Sequence, residues 1–143
     1  MSQCIYYRDP VRAIDWLSTA FGFEVRLKIE DDQGGIVHSE LAFGDGLVMV
    51  GGTERSDAGK EPWQSRQKSP LDVGGGNTQS VAVFVDDADA HCARARAAGA
   101  EIIREPTTSD YGDDYWADRS YGCLDPEGHL WWFMQRMRTG ARP

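Results

Sequence analysis

A strand, a helix and three further strands are spelled out along this chain and then spelled out again, a duplication that limits the fold more than any other feature. "CIYYRD" (4–9) reads as a short strand. "DPVRAIDWLSTAFG" (9–22) follows as a helix, with Asp9 at the N-cap, Pro10 at the first helical position and Gly22 at the stop. Ala13, Ile14, Leu17 and Phe21 recur at helical spacing and give that helix one buried face. The second half begins with "SVAVFVDD" (80–87), a strand rich in β-branched residues. It leads into "DDADAHCARARAAG" (86–99), where Asp87 is the N-cap and Gly99 the stop. Each helix runs on into a similar phrase, "FEVRLKI" (23–29) and "AEIIREP" (100–106). Two more strands then follow in each half: "IVHSELAF" turns through "GDG" into "LVMVGG", and "RSYGCLD" turns through "PEG" into "HLWWFMQ". Asp9 and Asp87 are 78 residues apart, Gly22 and Gly99 are 77, and Gly46 and Gly128 are 82.

The repeat predicts an α+β fold of two βαβββ modules in tandem, at about 1–52 and 80–137, within one domain spanning 1–143. Between them, residues 53–79 are rich in Gly, Ser, Lys and Pro and read as a linker or a lid. Trp63 stands out there as a large apolar group that a plain linker would not need. The charge balance excludes one class of partner: a net charge of −8 without a basic stripe repels nucleic-acid backbones. No apolar run approaches the roughly 20 residues needed to cross a bilayer, and "MSQCIYYRDP" lacks the pattern of a signal peptide, so the expected compartment is the cytoplasm, with no membrane association. Cys4, Cys92 and Cys123 have no CxxC spacing and are expected to be reduced, mostly buried thiols.

Strand alternation divides the side chains into two faces. On one, Val81, Val83 and Val85 are expected to pack on the helices, together with Ile5, Tyr7, Leu41, Phe43, Leu47, Met49, Trp131 and Phe133. The other would then carry Tyr6, Arg8, His38, Glu40, Val48, Val50, Ser80, Phe84, Arg119, Tyr121, Leu130 and Trp132, a mixture suited to a small-molecule pocket. An ordinary solvated face is the alternative, but it would expose Tyr6, Phe84, Leu130 and Trp132 together as an apolar patch.

Three segments, "YYRDPVRAIDWLSTAFGFE", "VFVDDADAHCARARAAGAEI" and "YGCLDPEGHLWWFMQ", in that order on a duplicated framework, resemble the vicinal oxygen chelate superfamily. That group includes glyoxalase I, bleomycin-resistance proteins, fosfomycin-resistance enzymes and extradiol dioxygenases. The resemblance implies curved mixed sheets around a concave cavity, often completed in a homodimer. It also implies a divalent metal held by two side chains of each module, usually His and Glu. The matching positions here are Ser2, Val50 (or Met49, if the register slips by one), Ser80 and Trp132. None is a usual ligand for zinc, nickel, iron or manganese, so no metal and no cofactor are expected. Of the paired tryptophans in "DPEGHLWWF", Trp131 is then core, and Trp132 stands as an aromatic wall where relatives place a carboxylate.

Three functions remain open. The first is a metal-free binding protein, in the manner of bleomycin-resistance members, for a planar or cationic organic compound or antibiotic. "SDYGDDYWADRSY" (109–121) fits this role, interleaving Tyr111, Tyr115, Trp116 and Tyr121 with four aspartates, although it could equally be an anchored acidic loop. The second is a lyase or dioxygenase-type enzyme with a non-standard metal or an acid–base site of His38, Glu40 and Arg119, although a structural hydrogen-bond or ion-pair cluster is the favoured reading of that trio. The third is a dimerising or regulatory module with a closed cavity. The expected ligand contacts are Trp132, Tyr121, Arg119, Tyr115, Trp116, Trp63, His38 and Glu40.

Overall fold

The computed structural model describes residues 1–54 and 61–142. Within them the chain forms two compact units, Met1–Asn77 and Thr78–Pro143. The first contains β1 (Gln3–Tyr7), α1 (Pro10–Phe21), β2 (Glu24–Glu30), β3 (Ile36–Phe43) and β4 (Gly46–Gly52), followed by two short 3-10 helices, Pro62–Arg66 and Pro70–Asp72. The second contains β5 (Val81–Phe84), α2 (Ala88–Ala97), β6 (Glu101–Asp110), β7 (Ala117–Leu124) and β8 (Leu130–Arg138). Each unit has one four-stranded sheet, in the orders β1-β4-β3-β2 and β5-β8-β7-β6. The first strand of each pairs in parallel with the last, and the other pairings are antiparallel. This is the duplicated α+β architecture that the repeat predicts. Of the 53–79 segment, residues 55–60 lie outside the described residues.

The helices form where the caps dictate. The Asp9 carboxylate accepts the Arg12 N–H at 3.0 Å, and Pro10 occupies the first turn, where its missing N–H costs nothing. Gly22, at φ 84°, turns back so that its N–H reaches the last carbonyls of α1. Asp87 repeats the cap for α2, accepting the Ala90 N–H at 3.0 Å. α1 buries Ile14, Leu17 and Phe21 against its sheet, whereas α2 buries only Ala88, Cys92 and Ala95.

Turn length sets which strand faces look at the helices, and it corrects two expectations. β3 and β4 are joined by two residues, pairing Phe43 with Gly46 and Leu41 with Val48. An odd-numbered residue therefore sits opposite an even one, so Val48 and Val50 are buried with Leu41, while Leu47 and Met49 are not core. β7 and β8 are joined by five residues, so Tyr121 lies opposite Phe133 and Cys123 opposite Trp131. Tyr121 is accordingly fully buried on the helix side rather than beside Trp132. Arg119 shares that side and binds Asp89 of α2 through two hydrogen bonds, at 2.7 and 2.9 Å.

The five-residue turn itself is built around Asp125. Its buried carboxylate accepts the N–H groups of Glu127 at 3.1 Å and His129 at 3.0 Å, and the indole N–H of Trp131 at 3.1 Å. Every polar atom that Trp131 brings into the core thus has a partner. Behind it, His91 of α2 packs on Phe133 with ring centroids 4.2 Å apart, and its Nδ1 lies 2.5 Å from the Tyr121 hydroxyl. Burial pushes the Tyr121 phenol above its usual range and the Cys123 thiol up to about 12. Cys92 is buried as well, and Cys4 is exposed.

Candidate functional site

In the first unit the sheet face away from α1 carries Cys4 and Tyr6 from β1, Met49 and Gly51 from β4, and His38 and Glu40 from β3. Residues after β4 return across this face. Trp63 and Gln67 line a cavity of about 170 Å³ together with Cys4, Tyr6, His38 and Met49. Three bonds tie the returning segment down: Gln67 donates to the Tyr6 hydroxyl at 2.7 Å, and Arg8 donates to Asp72 at 2.6 Å and to the Leu71 carbonyl at 3.1 Å. The cavity is smaller than the roughly 300 Å³ at which drug-sized pockets begin, so it has room for no more than a single ring or a short side group. His38 Nε2 lies 3.3 Å from Glu40, whose other oxygen is 3.6 Å from Arg26.

In the second unit the corresponding face belongs to Trp132. Its strand neighbours there are Ala82 on β5 and Gly122 on β7, and Arg104 on β6 stands opposite Gly122. The indole lies across Gly122 so closely that a Cβ at that position would fall 2.6 Å from the ring. The Arg104 guanidinium lies over the indole, 5.9 Å from its centroid. Further along, Arg136 lies 5.2 Å from the Phe84 ring and 5.4 Å from that of Trp116, while its Nε donates to Asp118 at 2.5 Å. Cations over aromatic faces at these separations are attractive by roughly 0.5–1 kcal/mol each when exposed.

The segment 109–121 is a hairpin rather than a loop. β6 extends to Asp110 and β7 begins at Ala117, leaving Tyr111, Tyr115 and Trp116 at the tip. Trp116 is packed by Tyr111 at 5.5 Å and, edge-on, by Tyr115 at 6.2 Å. Two of its four aspartates are engaged: Asp118 by Arg136, and Asp110 by both terminal nitrogens of Arg138, at 2.9 and 2.7 Å. The Arg138 guanidinium, with the Gly112 N–H, holds the Asp110 carboxyl far below the usual carboxylate range. This weakens the case for a cationic ligand, because those two charges are already neutralised.

The structure thus brings Trp63 and His38 together in the first unit, with Glu40 against His38, and places Trp132 and Trp116 on the arginine-studded face of the second. Tyr115 sits at the hairpin tip, and Tyr121 and Arg119 turn to the other side of their sheet. The sequence reading missed Gln67, Arg104, Gly122 and Arg136, and set Met49 on the core face, where the structure puts it at the cavity. Among the positions that the resemblance assigns to metal, the pairing of Cys4 with Met49 and of Ala82 with Trp132 makes Met49, not Val50, the counterpart of Trp132. Serine, methionine and tryptophan do not fit a divalent cation that needs imidazole or carboxylate. No group of three or more His, Cys, Asp or Glu among the described residues could hold one.

A profile of the Glyoxalase/Bleomycin resistance protein/Dioxygenase superfamily matches residues 2–133, and the chain belongs to that superfamily. Among solved structures it is similar to TioX from Micromonospora sp. ML1, with 34% identity, 96% of this chain and 98% of that chain covered, and a TM-score of 0.69. It shares the fold of a family enzyme from Burkholderia phytofirmans PsJN, at 20% identity with 94% and 95% coverage and a TM-score of 0.64. An uncharacterized protein of Mycobacterium bovis is 27% identical over 130 residues, which are 91% of this chain and 78% of that protein. Among the described residues no helix is long and apolar enough to cross a membrane.

Proposed function

We propose that this protein binds a planar organic small molecule, of the metabolite or antibiotic type, without a catalytic metal. The observation that carries the reading is Trp132, its indole packed across Gly122, at a position where the family resemblance implies a metal-binding carboxylate. Indole, guanidinium and phenyl groups on one face favour stacking with a flat partner, and each good aromatic pair adds about 0.5–1.5 kcal/mol beyond buried area. The cavity lined by Trp63, Tyr6, His38 and Gln67 offers a recess of mixed polarity in the other unit.

Isothermal titration of planar aromatic compounds into chelator-treated protein tests the proposal. Saturable binding of one or more of them, lost in Trp132→Ala with folding intact by circular dichroism, supports it. Absence of binding to any flat compound at millimolar concentration counts against it.

The contact between His38 and Glu40 at the cavity supports a second reading, an enzyme using this pair for proton transfer. That reading requires turnover of some bound compound to fall by about a hundred-fold or more in His38→Gln while its binding is retained.

A further inference from the structure

Four arginines of the second unit each hold a carboxylate: Arg96 with Glu105, Arg119 with Asp89, Arg136 with Asp118 and Arg138 with Asp110. Arg104 does not. Among the described residues its polar contact is a long bond of 3.4 Å to the Ser109 hydroxyl, and its guanidinium lies on the Trp132 indole instead.

This placement follows from the register of three strands. Trp132, Gly122 and Arg104 form one row across β8, β7 and β6. The register of β6 shifts between Ile102, which faces the core residue Cys123, and Arg104, which faces Gly122. Plain alternation would send Arg104 to the same side as Ile102. The extra residue at Ile103 turns it to the Trp132 side. The missing side chain of Gly122 then lets indole and guanidinium meet above β7.

An arginine fixed by stacking rather than by an ion pair keeps its N–H edge for an incoming anion, and a planar guanidinium matches a carboxylate through two parallel bonds. We propose that Arg104 is a specificity-determining residue, and that the ligand class is planar aromatic molecules bearing a carboxylate. The inference rests on the small-molecule reading above and goes beyond it by assigning the charge of the ligand. The carboxylate takes the guanidinium edge while the attached ring extends the stack on the Trp132 face.

The test is isothermal titration of the full chain with three probes of one shape: 2-naphthoate, 2-naphthamide and 2-naphthylmethylammonium. Charge-assisted hydrogen bonds contribute enough that 2-naphthoate is expected to bind about ten-fold tighter than the amide, with the ammonium weakest. Arg104→Gln should erase the preference for carboxylate over amide, while Arg104→Lys restores part of it. Gly122→Val should weaken all three probes alike, because it displaces the indole. Equal binding of acid and amide by the wild type, or an unchanged preference in Arg104→Gln, overturns the assignment of Arg104 while leaving the small-molecule reading standing. Failure of all three probes to bind overturns both.

Discussion

The two units share one framework but divide their core volume in opposite ways. In the first, the helix is the bulkier partner: Ile14, Leu17 and Phe21 of α1 face a sheet core of Ile5, Leu41, Val48 and Val50 with a single ring, Tyr7. In the second, the helix is pared down to Ala88, Cys92 and Ala95, and the sheet supplies Tyr121, Trp131 and Phe133. Close packing requires each interface to fill the same kind of gap, so small residues on one side call for large ones on the other. The aromatic crowding of β7 and β8 is therefore first a packing answer to an alanine-rich helix. Only the residues on the reverse of those strands are left to contact a ligand. Trp131 belongs to the first group and Trp132 to the second.

Substitutions can break this complementarity in both directions. Trp131→Ala should cost the most, about 3–5 kcal/mol by urea unfolding, because it opens a cavity and removes the indole donor from the buried Asp125 carboxylate. Leu17→Ala in α1 should cost about 2–5 kcal/mol by the same measurement, since the sheet opposite cannot fill the gap. Ala95→Leu in α2 should also destabilise, by about 1–3 kcal/mol, because the space is already taken by the rings of the sheet. Were Ala95→Leu neutral, the volume argument would fail for the second unit.

The second unit should also be the alkali-sensitive one. Cys123 is raised from 9.0 to about 12 by burial, with the nearby Asp125 charge adding to the shift. A raised folded value means that the stabilisation is complete below the unfolded thiol's pKa and is lost as pH rises from about 9 toward 12. Unfolding free energy should fall across that window by at most about 1.4 kcal/mol per pH unit for this group, and Cys123→Val should flatten the decline. The smallest effect is expected in the first unit. Gln67→Ala removes the bond to Tyr6 and should cost about 0.5–1.5 kcal/mol at most, read as faster hydrogen exchange in residues 62–72.

The duplicated architecture was legible because it rests on local signals: aspartate caps, glycine stops and the spacing between them. The faces were harder to read. Alternation alone does not say which parity points inward, and the length of the connecting turn does. The two residues after Phe43 and the five after Leu124 give opposite rules, and the expected faces have them crossed. Leu47 and Met49 are set with Leu41, and Tyr121 and Arg119 with Trp132, so Val48, Val50, Tyr121 and Arg119 are all misplaced. Arg104 was further out of reach, since a bulge reverses its direction and only the row through Gly122 reveals its partner. Trp63 and His38 share a cavity only because the chain returns across the sheet after β4, which composition does not encode.

The proposal of a stacking floor in place of a metal centre meets its most direct test in one titration. 2-Naphthoate is added to chelator-treated wild-type protein, to the same protein with one equivalent of nickel, zinc or manganese restored, and to Trp132→Ala. The expected result is one affinity with or without metal, and loss of binding in the variant. Binding that begins only when a divalent ion is restored, or that survives unchanged without Trp132, would contradict the account.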